Sequence, residues 1–343
     1  MAQMAGIRFS LFFIFSLCIA FAFGQEKDTA RKGEGIYAFL RRNNRIEVKQ
    51  YYDEFIRLNK NKLGKSNGLI KGAVYFLPSH AVSDSQKKGK INEKSRTGTQ
   101  PLFGEKYKNY EIKDDDLAGA CFFLVSGHGG PDCGAIAKVD GHELHEDEYA
   151  YDIMLRLARN LLEHNATVHI IIQDPKGEIR DDKYLSNSKN KTCMGKEIPL
   201  SQFARLKQRA DEINRLSFSA KEKHQRAIFI HLDSRSNKRQ LDVFFYYQGT
   251  KRNKHQSLQL AETMQKTFRS LYEIHQPTRG FSGTISTRPL YVLNNTTPVS
   301  IFVELANMQN ENDQKRYILE NNRQALANWL CAGFIKDYQS RSR

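Results

Sequence analysis

Two histidines and two glutamates stand in or beside apolar runs, where ionisable groups are costly. His128 follows ACFFLVSG, Glu146 opens EDEYAYDI, His231 comes late in AIFIHL, and Glu304 lies inside VSIFVEL. A buried imidazole or carboxylate is unfavourable unless it is paired or bound to a metal. Two His and two Glu are the ingredients of a hydrolytic zinc centre, with three ligands and one general base. Gly127, Gly129 and Gly130 surround His128. Glycines let the backbone turn sharply there and keep space open around the imidazole. His142 and His145 lie close to Glu146, and spacing alone leaves these three as rivals for one ligand position.

For the four residues to meet, strands must carry them to one edge. The runs 120–126, 167–173, 227–232, 241–247 and 299–305 read as buried strands. Apolar residues recur every three or four positions over 147–164, 198–216, 257–272 and 313–334, which read as helices. Strands alternating with helices from Leu117 onward predict an α/β domain with a mostly parallel sheet flanked by helices. In such sheets, sites form beyond the carboxyl ends of strands. His128, His231 and Glu304 all fall at or near strand ends.

Residues 1–24 read as a signal peptide. Arg8 is its one charge, Leu11 to Ala22 is apolar, and Ala22 and Gly24 are small residues at the cleavage positions. The apolar core is too short for a confident membrane span, and no other stretch is apolar enough. The expected mature chain is exported, to the periplasm or cell envelope, and its 319 residues suggest two domains. It keeps Cys121, Cys133, Cys193 and Cys331, whose pairing the sequence does not give. Net charge is +15, and residues 25–100 hold 17 Lys and Arg against 8 Asp and Glu. Export argues against nucleic acid and favours an anionic envelope polymer or membrane surface as the partner of that basic segment.

Within 25–78, two helix-like stretches precede a Gly-bounded strand over Ala73 to Leu77. Gly33-Glu34-Gly35, Arg57-Leu58-Asn59 and Leu69-Ile70-Lys71-Gly72 before Val74-Tyr75 resemble a LysM module, the peptidoglycan- and chitin-binding repeat. The resemblance implies a small α+β cell-wall-binding unit. Residues 79–116 are polar and Lys-rich, and are expected to be a mobile linker to a catalytic domain over 117–343.

The second part of the chain resembles the zinc-dependent N-acetylmuramoyl-L-alanine amidases of the Amidase_3 class. Gly127-His128-Gly129-Gly130 with Gly134-Ala135-Ile136 matches the first motif. Glu146, Glu148, Asp152 and Leu155 fit the second, and Ile230-His231 the third. Val292-Leu293, Pro298, Val303-Glu304-Leu305, Asn310 and Asp313 fit the fourth, and Arg209 and Asn214 fit the helix before His231. The resemblance implies that His128, Glu146 and His231 bind Zn²⁺ and that Glu304 is the catalytic acid and base. It selects Glu146 over His142 and His145. The implied reaction is hydrolysis of the amide between N-acetylmuramic acid and L-Ala of the peptidoglycan stem. An activator protein is a partner class that the sequence does not specify.

Val125-Ser126, Asp233 and Ala306-Asn307 depart from the family pattern around the metal positions. They motivate a competing reading, a degenerate amidase domain that grips peptidoglycan without cutting it. A zinc carboxypeptidase-like hydrolase is a third reading, because it shares the ligand chemistry. Residues 174–200 form a long polar insert, expected to be a mobile lid.

Overall fold

The run Ala120–Ser126 is buried at every position, so it has no face to offer water and must lie inside a sheet covered on both sides. It is the first strand, β1, of a domain whose elements follow in the order α1 (Glu146–Glu163), β2 (Thr167–Ile170), α2 (Gln202–Ser219), β3 (His224–Asp233), β4 (Phe244–Tyr247), α3 (Lys254–His275), β5 (Thr284–Thr287), α4 (Tyr291–Asn295), β6 (Val299–Asn307), α5 (Glu311–Ile318) and α6 (Glu320–Arg341). The protein is seen here as a computed structural model that describes residues 26–31, 34–43, 45, 49–64, 68–79, 96–234, 238–249, 253–276 and 279–341. The expected signal peptide over 1–24, Gly33 of the expected module and residues 80–95 of the expected linker lie outside the described residues.

The main sheet has the strand order β5-β4-β6-β3-β1-β2. β6, β3, β1 and β2 are mutually parallel, β4 is antiparallel to β6, and β5 is parallel to β4. The α/β class and mostly parallel sheet are therefore as expected. Side chains alternate across the sheet. Phe122, Leu124, Ile228, Ile230, Ile301 and Val303 face a core shared with α1, α3 and α6. Phe123, Val125, Ala227, Phe229 and Phe302 face a second core with Ile213 of α2 and Val292 and Leu293 of α4.

Several elements differ from expectation. The run 167–173 is not one strand. β2 ends at Ile170, and Ile172–Gln173 joins a separate three-stranded sheet with Thr192–Cys193 and Lys196–Glu197. The closing helix is two helices, because Leu319 is extended between them. β5, α4 and an antiparallel hairpin of Ile136–Val139 with His142–His145 have no counterpart in the sequence reading. All are short or half-exposed, so their apolar periodicity is weak. The expected linker over 79–116 is too long. Residues 97–99 and 109–111 pair as a hairpin, and Phe103 is fully buried in the domain core. One anchoring aromatic in a polar run gives no period to read.

The chain divides into two units, Met1–Ile91 and Asn92–Arg343. The first is a small βααβ unit. Lys27–Thr29 pairs antiparallel with Val74–Phe76, and helices Ile36–Arg42 and Lys49–Asn59 lie between them in sequence. Phe39, Phe55 and Tyr75 make a buried aromatic centre with ring centroids 5.6 to 6.0 Å apart. Asn59 closes it by exchanging two hydrogen bonds with the Phe76 backbone. Among the described residues, no helix is long and apolar enough to cross a membrane. The four described cysteines are free thiols.

Candidate metal centre

Three of the four sequence-selected residues converge. Ligand-capable atoms of His128, Glu146 and His231 all lie within 4.8 Å of one another. His128 stands two residues past β1 in left-handed backbone (φ 56°). Glu146 is the first residue of α1, where a carboxylate also meets the positive end of the helix dipole. His231 lies near the end of β3. His128 Nε2 is 3.2 Å from Glu146 Oε2, and His231 Nδ1 is 2.9 Å from Glu146 Oε1. The Ala135 and Leu232 amides also donate to that carboxylate, at 3.0 and 3.2 Å.

The rival histidines are elsewhere. His142 stacks on Tyr184 with centroids 3.9 Å apart. His145 is the residue before α1 and faces Glu143. The hairpin explains the choice: it delivers the chain so that the helix begins at Glu146.

Glu304 belongs to the same neighbourhood through the sheet. It pairs in register with His231 across β3 and β6, so the two side chains leave the same face one strand apart. Glu304 is buried, and its Oε2 has no hydrogen-bond partner. A buried unsatisfied carboxylate oxygen is a rarity that needs a reason. Burial first, and then the charges of Glu146 and Asp233, push its carboxyl well above the usual carboxylate range. Glu146 goes the other way. Burial works upward, but the imidazoles of His128 and His231 facing it outweigh burial and hold this carboxyl well below the usual range. Burial lowers His231, while His128 is pushed up to about 10, because the Asp132 and Glu146 carboxylates outweigh its burial.

Two nitrogen donors and one carboxylate around a common point are a donor set suited to zinc. The space is held open by glycine. A Cβ on Gly134 would stand 2.6 Å from His128 Cδ2 and 2.7 Å from Glu146 Oε2, and one on Gly127 would stand 2.4 Å from the His231 ring. The Phe302 ring stacks on His231 at 4.2 Å and 20°, fixing the plane of the imidazole.

Sequence reasoning missed Asp132, Arg205 and Phe302. Asp132 Oδ2 is 3.0 Å from His128 Nδ1 and 2.8 Å from Arg205. An Asp in a Gly-rich loop reads as a turn residue, so no signal set it apart. Of the residues that depart from the family pattern, Val125 and Asn307 are built into the scaffold, while Asp233 is half-buried and its charge reaches Glu304. Val125 is in the core, and Asn307 is fully buried, bonded to the backbone at Arg239 and Gln309. The insert over 174–200, expected to be mobile, is tied down. Ile179, Leu185, Cys193 and Ile198 are buried, and Lys191 is enclosed between Asp147 and Glu148 of α1. These partners sit beside Glu146, so the insert braces the start of the helix.

The family whose model is described as N-acetylmuramoyl-L-alanine amidase matches residues 123–336. No curated protein matches the chain. Among solved structures, the amidase AmiC2 of Nostoc punctiforme is 20% identical over 65% of this chain and 99% of its own, with a TM-score of 0.46. Ami1 from Mycobacterium smegmatis is 18% identical over 65% of this chain and 99% of its own, with a TM-score of 0.47. The CwlD amidase from Clostridioides difficile, solved in complex with the GerS lipoprotein, is 18% identical over 64% of this chain and 98% of its own, with a TM-score of 0.46.

Proposed function

The chain belongs to the N-acetylmuramoyl-L-alanine amidase family, and from that premise we propose that it is an exported, zinc-dependent peptidoglycan hydrolase. The bond cut is the amide between the lactyl group of N-acetylmuramic acid and L-Ala of the stem peptide. His128, Glu146 and His231 would hold the ion. The observation that carries this reading is the gathering of those three side chains within 4.8 Å beside a buried carboxylate with an unpartnered oxygen.

Bound there, zinc supplies Lewis acidity that makes water nucleophilic near neutral pH. Glu304 accepts the proton of the attacking water at its free Oε2 and delivers it to the departing amine nitrogen. A carboxyl whose pKa is raised by burial is a stronger base than an exposed one, which suits it to take that proton. Glu146 joins the two imidazoles and is itself fixed by two backbone amides. Phe302 keeps the His231 ring from turning. The basic βααβ unit serves as the wall-binding module, raising the effective concentration of the enzyme at its polymer.

Digestion of purified peptidoglycan with and without a chelator tests the reading, with products identified by mass. Free stem peptides beginning in L-Ala are expected, abolished by chelation and restored by zinc. Release of C-terminal amino acids, or activity indifferent to the chelator, overturns it.

A further inference from the structure

We propose that Asp132, gripped by Arg205, is the positioning residue that presents His128 to the metal, by fixing the imidazole as the tautomer with its proton on Nδ1. The inference rests on the zinc reading above and adds a residue pair to it. Asp132 lies four positions beyond His128, in a loop pinned by the Gly129 amide donating to the Asp132 carbonyl at 2.6 Å. One carboxylate oxygen faces His128 Nδ1 at 3.0 Å and takes an Arg205 N–H at 2.8 Å. The other accepts the Gly134 amide at 3.1 Å. A carboxylate in these bonds has no proton to give, so Nδ1 of His128 must be the donor. In the neutral ring Nε2 then carries the lone pair, and Nε2 is the atom that faces Glu146 at 3.2 Å inside the cluster.

Arg205 is itself held. Its second amino nitrogen donates to the Pro199 carbonyl at 3.4 Å and to the Leu200 carbonyl. Pro199 and Leu200 end the insert that runs over 174–200, so the relay reaches from the insert through Arg205 and Asp132 to His128. Arg209, one turn along the same face of α2, donates to the His128 carbonyl. The loop is thus gripped at a side chain and at a carbonyl while its histidine sits in left-handed backbone. Ligating histidines commonly give their second N–H to a carboxylate, which orients the ring and raises its basicity. Here the carboxylate is oriented in turn by an arginine.

The test measures zinc affinity of the full-length protein by competition with a chromogenic chelator. Wild type is compared with Asp132→Ala, Asp132→Glu and Arg205→Met, and thermal unfolding of each zinc-free protein is followed in parallel. Loss of an orienting partner typically weakens metal binding about 10- to 100-fold, and that is the loss expected for Asp132→Ala. Arg205→Met is expected to lose several-fold, and Asp132→Glu to recover part of the affinity. Nitrogen NMR of zinc-loaded wild type is expected to show the His128 proton on Nδ1. Asp132→Ala and Arg205→Met proteins that bind zinc as tightly as wild type overturn the proposal. If Asp132→Ala does not fold, Arg205→Met decides alone, because it leaves both partners in place. A wild-type protein that takes up no zinc overturns the reading of the centre, and this inference with it.

Discussion

Helix α1 carries two buried charge clusters less than two turns apart, and they are built in opposite ways. At Asp152 both carboxylate oxygens are satisfied. Its carboxylate accepts from Arg156 at 2.8 Å, from Arg323 at 2.6 Å and from the Arg180 amide at 2.8 Å. Arg323, fully buried, directs its donors to Asp152 and to the carbonyls of Tyr317, Ile318, Arg180 and Asp182. At Glu146 the cluster stays unfinished. The histidines converge on one carboxylate, while across the sheet Glu304 keeps an oxygen without a partner. Closed networks are satisfied and rigid; open ones keep unsatisfied capacity for something else to complete. Burial of charge alone does not set a site apart; Glu304 stands out because, among the described residues, its Oε2 is the one carboxylate oxygen buried without a partner.

The sharpest way to break that contrast is at Glu304. Glu304→Gln keeps the shape and removes the proposed proton carrier, so amidase activity is expected to fall about 10²- to 10⁴-fold. Its thermal midpoint should match or exceed that of wild type, because a buried unpartnered carboxylate is lost. Stem-peptide release at the wild-type rate would contradict the assigned role. Arg323→Met is the converse. Removing one partner from a buried ionic network costs about 3–5 kcal/mol, read from denaturant unfolding, while the zinc affinity of the folded fraction stays near wild type. A stable Arg323→Met protein would erase the distinction between the two clusters.

These two clusters were unequally legible in the sequence. His128, His231 and Glu304 show because polar groups interrupt apolar strand runs. Glu146 does not separate from His142 and His145 by spacing, because the deciding hairpin of Ile136–Val139 with His142–His145 is too short and too exposed to leave a period. Asp152 and Arg323 were illegible as partners. They are 171 positions apart, and nothing local to either residue announces the other. The sheet order follows the same rule. Long buried runs identify their strands, while β5, half exposed and four residues long, is found only when β4 pairs with it.

A glycine pair sharpens the comparison at smaller cost. Gly134 and Gly141 both have left-handed backbone, at φ 70° and 80°, but only Gly134 faces the cluster. Alanine at either position should cost about 1–2 kcal/mol in backbone strain. Gly134→Ala should also lower zinc affinity, since its Cβ would meet His128 and Glu146, and Gly141→Ala should not. Equal zinc binding by the two variants would show that the cradle tolerates filling.

The smallest effect is expected at the rim of the closed network. Burial works upward on Asp181, but hydrogen bonds from Lys106, Tyr107 and Arg156 outweigh it and hold its carboxyl at about 2. A depressed folded pKa stabilises above the unfolded value and loses that contribution as pH falls. The loss should therefore fall between about pH 4, where the unfolded carboxyl titrates, and about pH 2. Asp181→Asn should flatten unfolding curves in that window alone. An unchanged slope there would remove Asp181 from the network.

The in-register pairing of His231 with Glu304 bears on how such a protein can diversify. Neighbouring strands lie about 4.8 Å apart because backbone hydrogen bonds set that step, and no side chain can stretch it. The backbone interval between one candidate ligand and the proposed proton carrier is thus inherited with the ladder, whatever happens in the loops. Insertions over 174–200, or new residues along the rim, can change what reaches the centre and how fast. They leave untouched the interval across which the proposed chemistry would be done, so selection can vary the mouth of the candidate site while that backbone step stays constant.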